Sequence, residues 1–236
     1  MSFFVHLHVH SSYSPMRGVS SLEALCEAAR AQGADTLALT DTNGLYGAVR
    51  FLEVAKQAGL RPIIGAELTH EDAEHALARH RAVLLAKTTE GYANLCRLLS
   101  ARHCDASFEL IPAVARYRTG LIVLSDDLPA LTAWKRESPE DLYVELTPGA
   151  MMHEALAFSR RTGLPPVATN RVHFVRSKEF ALHRLLRAIA LNTTLSRLPP
   201  DACCAPHHWL APSALMACQF PHVPHALANT RRIAEA

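Results

Sequence analysis

With 236 residues, 49% of them hydrophobic and 19% charged, the chain has the composition of an ordinary folded protein with room for one large core. A formal net charge of +2 excludes a broad electrostatic footprint for nucleic acid, so any DNA contact is expected to be indirect. The longest apolar runs, such as Ala82–Ala86 and Leu121–Leu124, are strand-sized and too short to cross a bilayer, and the start Met1-Ser2-Phe3-Phe4-Val5-His6 lacks the pattern of a signal peptide, so a cytoplasmic location without a membrane partner is expected.

In chain order, Phe3–Val9 reads as a strand and 21–32 as a helix, with Ser20 and Glu23 in capping-box spacing and Gly33 as its stop. Thr36–Thr40 is a second strand, 45–58 a second helix closed by Gly59, and Arg61–Leu68 a third strand. Val83–Lys87 is a strand followed by a helix through Tyr92, Leu95, Cys96 and Leu99. Gly120–Ser125, Leu142–Leu146 and Pro166–Thr169 complete seven strands, with a helix over 151–161 before the last. Strands alternating with helices imply a parallel sheet, and seven repeats imply closure into a barrel over about residues 1–176; an open doubly wound sheet lacks the Gly-x-Gly-x-x-Gly turn that would support it. A helical tail follows over about 177–236, too short to bury its own core and expected to pack on the barrel as part of one domain. In it, 178–192 forms one long helix offering Phe180, Leu182, Leu185, Leu186 and Ile189 for burial. Cys203-Cys204 falls in a Pro-rich stretch that reads as a loop before it reads as a metal site, and Trp209 reads as core.

Functional groups in parallel α/β folds collect at the carboxyl ends of strands. His6, His8 and His10 alternate onto one face of the first strand, so a His-x-His pair can grip one metal there. Glu67, Asp126-Asp127 and Asn170-Arg171-Val172-His173 end later strands. Imidazoles and carboxylates converging from separate strands are what a hydrolytic metal centre needs. Most of the other histidines, such as His70, His75, His80, His103, His207, His208, His222 and His225, read as surface-loop residues.

At three motifs the chain resembles a known family. His6-Leu7-His8-Val9-His10-Ser11-Ser12-Tyr13-Ser14, Ala38-Leu39-Thr40-Asp41 and Pro62-Ile63-Ile64-Gly65-Ala66-Glu67 are similar to the polymerase-and-histidinol-phosphatase (PHP) domain. Glu90–Ser100 and Val167–His173 resemble the version found in bacterial DNA polymerase III alpha subunits and error-prone polymerases. The resemblance implies a distorted (β/α)7 TIM-like barrel carrying metal ions, which in some members hydrolyses phosphate esters or proofreads DNA and in others is mainly structural.

Carried over position by position, His8, His10, Glu67 and His173 match the metal ligands the resemblance implies, and Asp127 stands where a cysteine or histidine is usual and can still ligate. Four ligand positions are substituted, by Arg17, Thr42, Arg81 and Arg171. Guanidinium stays protonated and has no lone pair for a metal. The arginines are therefore expected to replace metal charge by pairing with Glu67 and Asp127, or to hold a phosphate uncleaved. The expected cofactor is none, or a single Zn or Mn at a residual site.

The expected function is a mainly structural PHP domain of a replicative or error-prone DNA polymerase. Its partners would be palm and fingers domains in cis or a separate polymerase in trans. The alternative is an active metal-dependent phosphoesterase or 3′–5′ exonuclease with a reduced ligand set. No Asp-x-Asp pair occurs, so the chain does not itself polymerise DNA.

Overall fold

The computed structural model describes residues 4–71 and 78–236; Phe3 and His75 lie outside them. Six strands form one curled sheet in the order β1 (Thr36–Leu39), β2 (Arg61–Glu71), β3 (Ala78–Ala86), β4 (Leu121–Ser125), β5 (Leu142–Leu146) and β6 (Pro166–Ala168). β1–β2, β4–β5 and β5–β6 are parallel, but β3 is antiparallel to both neighbours. This corrects the expectation of a wholly parallel sheet. A parallel return needs a crossover of a dozen or more residues, and the stretch between Glu71 and Ala78 is too short for one. The reversal has a functional consequence: β3 starts at the end of the sheet where the parallel strands finish, so His80 and Arg81 sit beside their carboxyl ends.

The expected strand over Phe3–Val9 is not a regular strand among the described residues. It forms an isolated bridge, Val9 with Val172. It is nonetheless bonded on both sides. Ala38 and Thr40 donate backbone N–H groups to the His6 and Val9 carbonyls at 3.1 and 2.8 Å, and Val172 donates to the His8 carbonyl at 2.9 Å.

The helices are α1 (Leu22–Ala31), α2 (Ala48–Gln57), α3 (Thr89–Cys104), α4 (Leu110–Tyr117), α5 (Leu128–Glu137), α6 (Met152–Thr162), α7 (Phe180–Ala190), α8 (Ser213–Gln219) and α9 (Pro224–Glu235). Ser21, not Ser20, caps α1, accepting from Ala24 N. Ser20 instead ties the barrel to the tail, accepting from Val175 N at 2.9 Å and donating to Glu179 at 3.2 Å. α4 has no counterpart among the sequence expectations. It packs on α5, where the buried Trp134 donates its indole N–H to the Ile111 carbonyl at 2.9 Å.

Strand alternation divides the core. Ala66, Leu68, Leu84, Val123 and Val144 face α3–α6, while Ala38, Val83, Leu85, Ile122, Leu124 and Val167 line the opposite face with Val5 and Leu7. That period of two determines which residues beyond the strand ends point into the mouth.

The tail joins both sets of core residues. Met216, Phe220 and Leu227 pack with Phe158 and Leu146, while Ile233 packs with Val5 and Val167. α9 lies at the opening ends of the strands, where Asn229 bonds the Pro166 carbonyl and Arg231 pairs with Asp35. α7 corrects a further expectation. Leu182, Leu185 and Ile189 are exposed, and the buried face presents His183, Arg187 and Ala188. The polar pair is turned inward because it holds backbone: Arg187 Nε donates to the Ala202 carbonyl at 2.8 Å, and His183 Nδ1 bonds the Arg17 carbonyl at 2.8 Å.

Candidate metal centre

His8 and His10 lie on the N-terminal segment, fully buried. His8 Nδ1 is 2.6 Å from Glu145 Oε1, and its Nε2 is 3.4 Å from Glu67 Oε1 without a hydrogen-bond partner. His10 Nδ1 bonds the Val172 carbonyl at 3.1 Å, and its Nε2 is 3.2 Å from Glu67 Oε2. Both imidazoles are thus oriented through Nδ1 by an acceptor and turn Nε2 toward one carboxylate, the outer-shell pattern of metal-ligating histidines. The ligand atoms of His8, His10 and Glu67 lie within 4.8 Å of one another. This trio fits one ion.

His6, expected on the same face, is held elsewhere: its Nε2 bonds the Ala211 carbonyl of the tail at 2.9 Å. Thr42, at a substituted position, donates its hydroxyl to Glu67 Oε2 at 3.0 Å. Asp41 works inside the fold, accepting from Ser11 N, Ser11 Oγ and Ser14 Oγ to pin the loop that carries Arg17.

The arginines do not pair as expected. Arg81 meets both oxygens of Asp126 at 2.7 Å, and Arg171 bonds the same carboxylate while standing 3.5 Å from Glu145 Oε2. Asp127 instead caps α5, accepting from Ala130 N at 3.0 Å, and takes His80 Nδ1 at 2.5 Å. Parity explains the exchange: Leu124 faces the sheet interior, so Asp126, two residues on, faces the mouth, and Asp127 faces the helix layer. Arg171 reaches the mouth with a left-handed backbone, φ 42°. Arg17 lines the same opening, a cavity of about 300 Å³ that also takes in Arg81, Arg171, His173 and Glu67.

Glu145 is the residue that the sequence reading missed. Its signal was a lone carboxylate in Leu142-Tyr143-Val144-Glu145-Leu146, a strand buried along its length apart from Tyr143. It receives Thr169 Oγ1 at 2.6 Å as well as His8.

Charge is distributed accordingly. Burial alone would lower His8, but Glu145 and Glu67 raise it above its ordinary value. Burial alone would raise the three carboxylates. His10 and His8 hold Glu67 well below the usual range, His8 and Arg171 do so for Glu145, and Arg171 and Arg81 lower Asp126. Burial likewise opposes the charge on Arg81, and Asp126 more than restores it.

His173 stands apart from the carboxylates. Its ring lies 4.2 Å from that of His10 and 6.1 Å from that of His208, and its Nδ1 bonds the Arg171 carbonyl at 2.7 Å. Burial, then the neighbouring His10 and His183, keep it neutral. His208, expected in a surface loop, is buried beside it, and burial with Arg171 nearby lowers it to about 2.

Residues 6–148 match the PHP domain. The chain belongs to the PHP domain family. This PHP domain is 35% identical to an error-prone DNA polymerase of Symbiobacterium thermophilum, covering 98% of the chain and 25% of that protein. It is 31% identical to the DNA polymerase III subunit alpha of Treponema pallidum and to that of Escherichia coli K12, in each case over 98% of the chain and 23% and 22% of the relative. The chain therefore spans about a quarter of the length of the curated relatives it matches. Among solved structures, an amidohydrolase from Chromobacterium violaceum with bound SO4 and no metal superposes with a TM-score of 0.53 at 13% identity, over 72% of this chain and 87% of the other. A two-domain protein of Bacteroides vulgatus containing a predicted PHP-like metal-dependent phosphoesterase gives 0.50 at 15%, over 72% and 52%. These likenesses establish the fold of the PHP domain alone.

Proposed function

We propose that this PHP domain serves a bacterial replicative or error-prone DNA polymerase mainly as a structural domain, with a mouth balanced by its own cations. One observation carries the reading. Glu67 faces His8 and His10, Glu145 faces His8 and Arg171, and Asp126 faces Arg81 and Arg171, so each carboxylate is met by imidazole or guanidinium groups of the chain itself. Buried charges are tolerated when so paired. Arg81 and Arg171 occupy positions where the family resemblance implies metal ligands, and a guanidinium repels an ion rather than binding it. The match to about a quarter of polymerase chains supports a polymerase partner, in cis or in trans, with DNA contacted indirectly in the cytoplasm. The two-sided bonding of residues 6–10 supports reading that segment as the seventh stave of a closed, distorted (β/α)7 barrel, and the shared core supports counting the tail in the same domain.

A second reading, a metal-dependent phosphoesterase or 3′–5′ exonuclease, is favoured by His8, His10 and Glu67. A zinc or manganese ion held by those three would acidify a bound water for attack on a phosphate ester. Glu145 and the Val172 carbonyl would orient the two imidazoles, and Thr42 would hold Glu67.

The deciding experiment is phosphodiester hydrolysis under manganese and zinc titration, with metal content compared between the native chain and His8→Ala. The structural reading expects no hydrolysis and metal content independent of His8. Hydrolysis that disappears with His8, together with a lost ion, would overturn it.

A further inference from the structure

The tail brings a second group of metal-binding side chains to the mouth. Cys204 and His208, in Cys-x-x-x-His spacing on the loop before Trp209, meet His173 from the barrel, with ligand atoms all within 4.8 Å. We propose that His173, Cys204 and His208 form a zinc site that fastens the tail loop to the barrel, separate from the His8–His10–Glu67 group.

The donor set suits the metal: one thiolate and two imidazoles are borderline-soft ligands, and three protein ligands leave one position for water. Binding sends the Cys204 thiol proton to solvent, and the sulfur ligates as thiolate. His208 is 8% exposed, yet its Nδ1 is a buried nitrogen with no hydrogen-bond partner. His173 donates from Nδ1 to the Arg171 carbonyl, which leaves Nε2 as its lone pair.

The loop is also held in advance. Cys204 N donates to His183 Nε2 at 3.0 Å, and Arg187 grips the Ala202 carbonyl on the other side of Cys203. Asn170 donates to the carbonyls of both His207 and Trp209 at 2.7 Å, bracketing His208. His173 N donates to the His208 carbonyl at 2.9 Å, so two of the three ligands are tied through backbone. Such supporting bonds are what keep a ligand set from being too loose to bind. The proposal does not depend on whether the mouth holds an ion of its own.

The test titrates the whole chain with cobalt(II) and then displaces it with zinc. We expect a thiolate-to-cobalt charge-transfer band that saturates at one equivalent of site-bound cobalt. Cys204→Ser should remove the band and weaken cobalt binding by more than the ~10–100-fold typical of losing an outer-shell partner. Cys203→Ser should keep both, and circular dichroism verifies that each variant is folded. No band in the native chain, or a band that survives Cys204→Ser, would overturn the proposal.

Discussion

Arg171 and Asp126 form an ion pair across 45 residues of sequence, and the same Asp126 carboxylate is chelated by Arg81 from the reversed strand β3. One carboxylate thus organises two guanidinium groups that the chain carries at the end of its sheet. Asp126→Asn removes that charge and leaves both arginines partly buried without it. Truncating one partner of a buried pair costs about 3–5 kcal/mol, and the residual exposure here reduces the expectation to roughly 2–3 kcal/mol. Asp127→Asn should cost about 1 kcal/mol or less, because asparagine caps a helix as well as aspartate does. Urea unfolding midpoints of the two variants check the contrast; equal losses would contradict the assignment of Asp126 to the mouth.

His8 owes its raised proton affinity to Glu145 first and Glu67 second among its favourable partners. Glu145→Gln should therefore lower the His8 titration midpoint, with burial then prevailing. Following the imidazole resonances by NMR over pH tests this. An unchanged midpoint would mean that Glu145 is not the dominant partner.

Stability should fall on the acid side in two stages. Burial depresses His6 from 6.5 to about 4, so its contribution is full above 6.5 and is lost as pH falls toward 4. Glu67 and Asp126 are depressed below 4.5 and 3.8, so their contributions are present above those values and are lost as pH falls through the lowered ones. His8 is raised, so its contribution is full below 6.5 and disappears as pH climbs through the raised value. Denaturation midpoints across this range should show a long acid decline and a smaller alkaline one.

Gly18 lets the loop bearing Arg17 close on itself. A Cβ there would lie 1.8 Å from the Ser11 carbonyl oxygen, which cannot retreat while Ser11 is bonded to Asp41 through both N and Oγ. Gly18→Ala should destabilise by about 1–3 kcal/mol, the range for overpacking a tight site. Thermal unfolding measures it, and a neutral substitution would show that the loop yields.

Much of the scaffold was legible in one dimension. Apolar runs located β1, β2, β4, β5 and β6, and Gly33 and Gly59 close helices in the left-handed conformation that their positions after helical patterns indicate. His8, His10 and Glu67 were legible because polar residues at the ends of apolar strands have few places to go but the mouth. The choice of Asp126 over Asp127 was also recoverable, by carrying the alternation of Leu124 forward two residues, and Glu145 by noticing a carboxylate inside a buried strand.

Other features depended on neighbours that no local pattern encodes. The direction of β3 follows from the length of its connection to β2, and that direction brings Arg81 to Asp126. α7 turns His183 and Arg187 inward, against its apolar pattern, because the loop ahead of Trp209 supplies backbone groups to satisfy them. That loop also buries His208 beside His173. Sequence by itself determined the family, the position of most strands and the candidate group His8, His10 and Glu67. The tertiary structure decided which carboxylates meet which cations and which histidines lose solvent, because alternation specifies the face a side chain occupies but not what the folded chain places opposite it.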